Sequence, residues 1–152
     1  MTLRLADASD APTIAAVQRQ AFRISLPFLP TRYTAEEKLA FVRDKVLPSC
    51  ETWVAELEGR VAGFIAFRDD WIDHLYVDPA AQGRGLGPGL LDKALANGAP
   101  RSLWTFQKNL RARRFYEARG FQLVRLTDGV ANEEREPDAL YRWPGFASTP
   151  PL

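Results

Sequence analysis

The stretch from His74 to Leu95 limits the possible fold more than any other. It opens with His74, Leu75, Tyr76 and Val77, which favour extended structure, and Asp78-Pro79 cuts it, so a strand ends there. It closes with Leu90, Leu91, Ala94 and Leu95 at helical spacing, the apolar face of a helix. Between them Gly83, Gly85, Gly87 and Gly89 place four glycines in seven residues. Glycines between a strand and a helix let the backbone approach a ligand closely. The unpaired N–H groups and positive dipole end of the helix then face an anion. The stretch reads as a cradle for phosphate or pyrophosphate.

Spacing narrows the kind of cradle. A dinucleotide loop needs G-x-G-x-x-G, but counting from Gly83 the third glycine falls on Pro88, and from Gly85 it falls on Leu90. A Walker loop needs Gly-Lys, and the chain has no such pair. What remains is Gln82-x-x-Gly85-x-Gly87 after an apolar strand. This resembles the acyl-CoA loop of the GNAT superfamily of N-acetyltransferases, [RQ]-x-x-G-x-[GA].

The chain has 152 residues, enough for one domain with a real core, and 46% of them are apolar. Twenty basic and 19 acidic residues leave a net charge of +1, which points away from nucleic acid or an anionic membrane as partner. No apolar run reaches the ~18 residues of a membrane span, and the first residues form no apolar leader. Cys50 is alone, which fits a reducing cytoplasm, and with His74 the single histidine no zinc set is expected.

Strands and helices alternate along the chain. A strand is expected over residues 2–6, then a helix capped by Ser9 or Asp10 with Pro12 in its first turn. Residues 23–33 contain Pro27 and Pro30 and the exposed-looking Leu26, Phe28 and Leu29, so a regular helix is excluded. Thr34-Ala35-Glu36-Glu37 is a capping box for a second helix reaching about Leu47, with Pro48 as its stop. Strands follow over 52–57, 60–67 and 71–77, the first two joined by Glu58-Gly59. After the Gly-rich loop and its helix come a strand over 102–106, a helix over 109–119 capped by Asn109, and strands over 121–126 and 139–143. The fourth and fifth strands are joined through a helix and so run parallel. An acidic turn, 132–138, separates the last two strands, and residues 146–152 form a Pro-rich tail expected to fray.

This order is similar to the GNAT fold over residues 3–143. The implied architecture is α/β (α+β): a mixed, mostly antiparallel sheet of about seven strands, a splayed parallel pair (strands 4 and 5) and four helices. It implies one acetyltransferase domain over 1–145 and a tail over 146–152. By the same resemblance, Leu75, Tyr76 and Val77 line the pantetheine arm, since splayed strands leave backbone groups in need of partners. The cofactor loop is then Gln82, Gly83, Arg84, Gly85, Leu86, Gly87 and Pro88. Pro88 departs from the family pattern, because it has no N–H to offer.

A second stretch, Asn109-Leu110-Arg111-Ala112-Arg113-Arg114-Phe115-Tyr116-Glu117-Ala118-Arg119-Gly120-Phe121, looks like the family's N-x-x-A-x-x-F-Y-x-x-x-G-F signature. It implies that Asn109 contacts the cofactor and that Tyr116 protonates the leaving thiolate; packing and helix capping are the plainer alternatives. Arg111, Arg113 and Arg114 read as a solvated face. For the general base, strand alternation puts Asp73, Leu75 and Val77 on one face and His74 and Tyr76 on the other. Asp73 is the chosen base, with burial expected to raise its pKa; His74 and Glu36 are the alternatives.

The resemblance implies an acetyl-CoA-dependent N-acetyltransferase, without metal, in which a primary amine attacks directly. The acceptor is a small amine or a peptide, with specificity expected in residues 23–33 and in the acidic turn, and a homodimer is admitted. A non-catalytic acyl-CoA sensor and a protein N-terminal acetyltransferase are the competing readings.

Overall fold

Seven strands, Thr2–Leu5 (β1), Glu51–Leu57 (β2), Arg60–Arg68 (β3), Trp71–Val77 (β4), Arg101–Phe106 (β5), Gln122–Leu126 (β6) and Asp138–Trp143 (β7), form one mixed sheet in the computed structural model. Their order is β1-β2-β3-β4-β5-β7-β6. The structure describes residues 1–146. Four helical stretches accompany the strands among these residues. They are Ala11–Ser25 (α1); Ala35–Phe41 (α2), which runs through the π-helical turn Val42–Val46 into Leu47–Ser49 (α3); Leu86–Leu95 (α4); and Leu110–Glu117 (α5). The expected fold class is therefore present. The chain divides into two units, Met1–Arg68 with Ile72–Ala94, and Asp69–Trp71 with the chain from Leu95 on.

In the first unit, β1 to β3 pair antiparallel. Alternation decides which side chains go inward: Val54 and Phe64 are at most 1% exposed and meet Ile14, Val17 and Val42 of the helical layer. The entrance to α1 differs from expectation. Asp10 holds the N-cap position of α1 but makes no side-chain cap hydrogen bond to it. Asp7 caps a short 3-10 turn, Ala8–Asp10, that leads straight into the helix. Asp10 is engaged elsewhere: it accepts two hydrogen bonds from the Arg4 guanidinium, both 2.8 Å, and one from the Asp7 N–H at 2.8 Å. Arg4 also donates from Nε to Glu56 at 2.7 Å, which ties β1, β2 and the helix entrance together.

The hydrogen bonds from Arg4 hold the Asp10 carboxyl below the usual carboxylate range, against the opposing effect of its burial. A lowered folded pKa means the stabilisation is fully present above the unfolded carboxylate value and is lost as pH falls through the folded one. Asp10→Asn is expected to cost about 1.5–3 kcal/mol at neutral pH, the range for hydrogen bonds to charged groups. Urea melts at pH 7 and below pH 4 check this, since the deficit should shrink at the acid end.

The capping box at Thr34 forms as expected, with Glu37 N–H to Thr34 Oγ1 at 3.1 Å and Thr34 N–H to Glu37 Oε1 at 3.0 Å. Pro48 does not end that stretch. The π turn resets the helical ladder, and Pro48 then sits in the first turn of α3, where an N–H is not needed. Leu26, which looked exposed, is 5% exposed at the end of α1. Gly63 of β3 is small for a steric reason: a Cβ there would lie 3.2 Å from Leu90 Cδ1 and 3.2 Å from the Tyr76 carbonyl oxygen. α4 therefore packs directly on β3.

In the second unit, β7 lies between β5 and β6 and pairs antiparallel with both. Trp71, at the start of β4, is the parallel partner of Ser102, and Ser102 N–H donates to Asp70 O at 2.6 Å. α5 ends at Glu117, and Gly120 takes φ +89° to turn the chain into β6. Phe146, the first residue of the expected tail, donates its N–H to Gly98 O at 3.1 Å and sets its ring against Trp143. Residues 147–152 lie outside the described residues. Among the described residues no helix is long and apolar enough to cross a membrane.

Candidate active site

The Gly-rich loop belongs to the first unit and follows from local rules. Asp78 ends β4, and its carboxylate accepts from the Ala80 N–H at 3.0 Å, which starts a 3-10 turn over Pro79–Ala81. Gly83 and Gly85 then adopt φ +80° and +84°, values that side chains disfavour. α4 begins at Leu86, four residues earlier than its apolar pattern suggested, and Gly89 N–H reaches back to Gly85 O at 3.1 Å. Gly87, Pro88 and Gly89 are thus first-turn helix rather than loop. First-turn N–H groups have no partner within a helix. Leu86 and Gly87 supply such donors, and Pro88 supplies none.

A Cβ built on Gly83 or Gly85 meets nothing within 4 Å. The loop is open on that side, and its positive-φ backbone and first-turn donors would suit a pyrophosphate. Arg84 is exposed and lies 4.0 Å from a carboxylate oxygen of Glu58. Gln82 is half-buried at the end of the 3-10 turn.

On β4, Leu75, Tyr76 and Val77 are all half-buried. Tyr76 packs against the core beneath α1 and stacks on Phe64 with centroids 5.9 Å apart. His74 lies on that face too, its ring 6.0 Å from Phe41, 6.3 Å from Phe64 and 6.3 Å from Tyr76. This aromatic box was half legible. Alternation puts His74 with Tyr76, but nothing in the sequence links them to Phe41 of α2. Burial pushes the His74 imidazole below its usual pKa, which keeps it neutral at pH 7.

Asp73 faces the other way, as alternation requires, but its surroundings differ from expectation. It is exposed, not buried beside Leu75 and Val77. Its carboxylate accepts from Arg68 Nε at 2.7 Å and from the Cys50 thiol at 3.6 Å. Glu36 sits in the first turn of α2, where a helix dipole favours a carboxylate.

In the second unit Asn109 caps α5, its Oδ1 accepting from Ala112 N–H at 3.2 Å. Tyr116 is 8% exposed, with its ring edge-on to Phe115 at 5.2 Å and to Phe121 at 5.3 Å. Of the three arginines read as a solvated face, Arg111 and Arg114 are exposed, but Arg113 is half-buried. Its Nε donates to the Tyr141 hydroxyl at 3.0 Å and its Nη1 to Gln107 O at 3.3 Å. The Tyr141 hydroxyl donates onward to Glu117. This network anchors α5 to β7, since Tyr141 is fully buried. No local pattern announces it.

The acidic turn is largely occupied with itself. Asn132 Nδ2 donates to Glu136 O at 2.7 Å and to Asp138 Oδ2 at 3.0 Å. Lys108 pairs with Glu136 at 3.2 Å, and Thr127 donates to Asp138. Two of its four carboxylates, Glu136 and Asp138, are therefore already partnered, which leaves Glu133 and Glu134.

The model of the acetyltransferase (GNAT) family matches residues 16–121. The chain is 28% identical over 143 residues to the peptidyl-lysine N-acetyltransferase YiaC of Escherichia coli (strain K12), covering 93% of this chain and 96% of that one. Its fold is similar to the solution structure of apo-form YjaB from Escherichia coli, with a TM-score of 0.77 and 23% identity over 95% of this chain and 97% of that one. It is also similar to yncA from Salmonella typhimurium, solved with its cofactor acetyl-CoA, with a TM-score of 0.71 and 22% identity over 93% and 92% of the two chains.

Proposed function

The chain belongs to the acetyltransferase (GNAT) family, and from that membership we propose that it transfers an acetyl group from acetyl-CoA to the ε-amine of a lysine in a peptide or protein, within one catalytic domain over residues 1–145. The observation that carries the cofactor half is the loop at Gly83 and Gly85, open on one side and followed by a helix start. The acceptor half leans on the relative named as a peptidyl-lysine acetyltransferase.

Acetyl-CoA supplies the activated thioester carbonyl. Gln82 to Pro88 would hold its pyrophosphate, Leu75, Tyr76 and Val77 its pantetheine arm, and Asn109 would touch it beside capping α5. In the step itself the amine nitrogen bonds to the carbonyl carbon and the carbon–sulfur bond breaks. The Val77 N–H stabilises the charge gathering on the carbonyl oxygen. Tyr116 gives its proton to the leaving sulfur, and the second proton that the nitrogen sheds as the amide forms returns to the Tyr116 oxygen. Asp73 takes a proton from the ammonium so that the neutral amine can attack, and its exposure gives that proton a path to water.

The test is thiol release plus mass analysis on lysine peptides, free amines and peptides with a free α-amine. A mass gain on lysine side chains supports the reading. Acetylation of α-amines alone would replace it with N-terminal acetylation, and cofactor binding without any turnover would make the chain a sensor.

The base has its own test. With Asp73 in that role, kcat/KM for one peptide should rise with pH through an ionisation that Asp73→Asn removes or moves. A profile like the wild type's in Asp73→Asn, but altered in His74→Gln, would pass the role to His74. Its break would then fall below the ordinary histidine range, because burial lowers that pKa.

A further inference from the structure

The first unit holds a cavity of about 420 Å³ between α1 and the start of β3, lined by Thr13, Arg19, Gln20, Arg23, Arg60 and Asp78. Three guanidinium groups border it, against one carboxylate. Asp78 is already occupied at one oxygen by the Ala80 N–H. Among the described residues no carboxylate pairs with Arg19, Arg23 or Arg60, whereas Arg4, Arg43 and Arg68 of this unit are paired. Like charges gathered around a concavity repel one another and raise a positive potential inside it. Such a cluster is stabilised when an anion enters.

Its position gives it a use. Asp78 directly follows Val77, the last residue of β4, and α1 covers the sheet face that carries His74 and Tyr76. Asp78 lines the cavity, so an acceptor segment held beyond the end of β4 would lie beside the arginines. Arg19 and Arg23 lie one turn apart on α1, about 6 Å along the axis. Alternate residues of an extended peptide are spaced by about 6.6 Å and point the same way. A single phosphate satisfies one point, whereas a run of carboxylates on alternate residues matches this spread.

We propose that this groove selects acceptor segments carrying aspartate or glutamate near the target lysine, a specificity-determining site opposite in sign to that expected from the acidic turn. It rests on the peptide-lysine reading given above. Direct binding tests it without turnover. Fluorescent peptides with one lysine, and either glutamate or glutamine at alternate flanking positions, are titrated by anisotropy against wild type and against R19Q/R23Q/R60Q. The glutamate peptide should bind wild type about tenfold more tightly at low salt, a size that two or three exposed pairs supply. That preference should fade with added salt and be lost in the triple variant. The single variant R23Q, at an exposed position, should show a partial loss and guards against misfolding of the triple one. Calorimetry with CoA on the same variants separates the sources of the anion. Equal binding of the two peptides overturns the proposal, and so does a triple variant that loses CoA affinity while keeping the peptide preference. Selective binding without acetylation would instead overturn the catalytic reading and leave the groove standing.

Discussion

Tyr116→Phe is expected to lower kcat by about 10²–10⁴-fold, the range for a positioned general acid, or about 3–5 kcal/mol of barrier. The ring is 8% exposed and packed edge-on between Phe115 and Phe121, and phenylalanine preserves those contacts. Acetyl-CoA affinity and the melting temperature should therefore change little, while single-turnover thiol release slows. A kcat within a few-fold of wild type would reduce Tyr116 to packing and assign the sulfur's proton to water. The variant also weighs enzyme against sensor, since a sensor has no rate to lose.

Gly85→Glu should reduce acyl-CoA affinity below calorimetric detection. Like charges brought together at a binding surface cost several kcal/mol, which is 10²-fold or more at 1.4 kcal/mol per decade. The Cβ of residue 85 has open space around it, so the glutamate would occupy the ligand's side of the loop rather than the core. Backbone strain is the competing cause, because φ is +84° there. Gly85→Ala carries the same strain without the carboxylate, so it should keep most of the affinity in a protein that melts at a similar temperature. If Gly85→Glu folds and binds CoA as wild type does, the pyrophosphate does not lie on this loop.

Several features of the fold were legible because their causes are local. The capping box of Thr34 and Glu37 needs only four residues, and the end of β4 at Asp78-Pro79 needs two. The second motif placed Asn109 correctly as a cap for the same reason. Boundaries slipped where a contact competed with a local signal. Asp10 looked like a cap, but the Arg4 guanidinium engages its carboxylate and Asp7 caps instead. Pro48 looked like a stop, but a π turn placed it in a fresh first turn, where it is tolerated. The apolar face of α4 shows only from Leu90, because glycines and a proline hide a helix from periodicity, yet residues 86–89 are helical, with Gly85 O accepting from the Gly89 N–H.

The sequence by itself determined the strand–loop–helix cradle, the alternation that separates Asp73 from His74, and the family signature around Tyr116. These depend on period, on φ preferences and on spacing within a dozen residues or so. Only the tertiary structure decided which polar groups meet. It set Arg68 and Cys50 against Asp73, Phe41 against His74, and Tyr141 between Arg113 and Glu117. It also brought Arg60 of β3 to the same cavity as Arg19 and Arg23 of α1. A charge has no period, and its partner is selected by the path of the folded chain, so neither the ion pairs nor the unpaired arginines could be read until the strands and helices were in place.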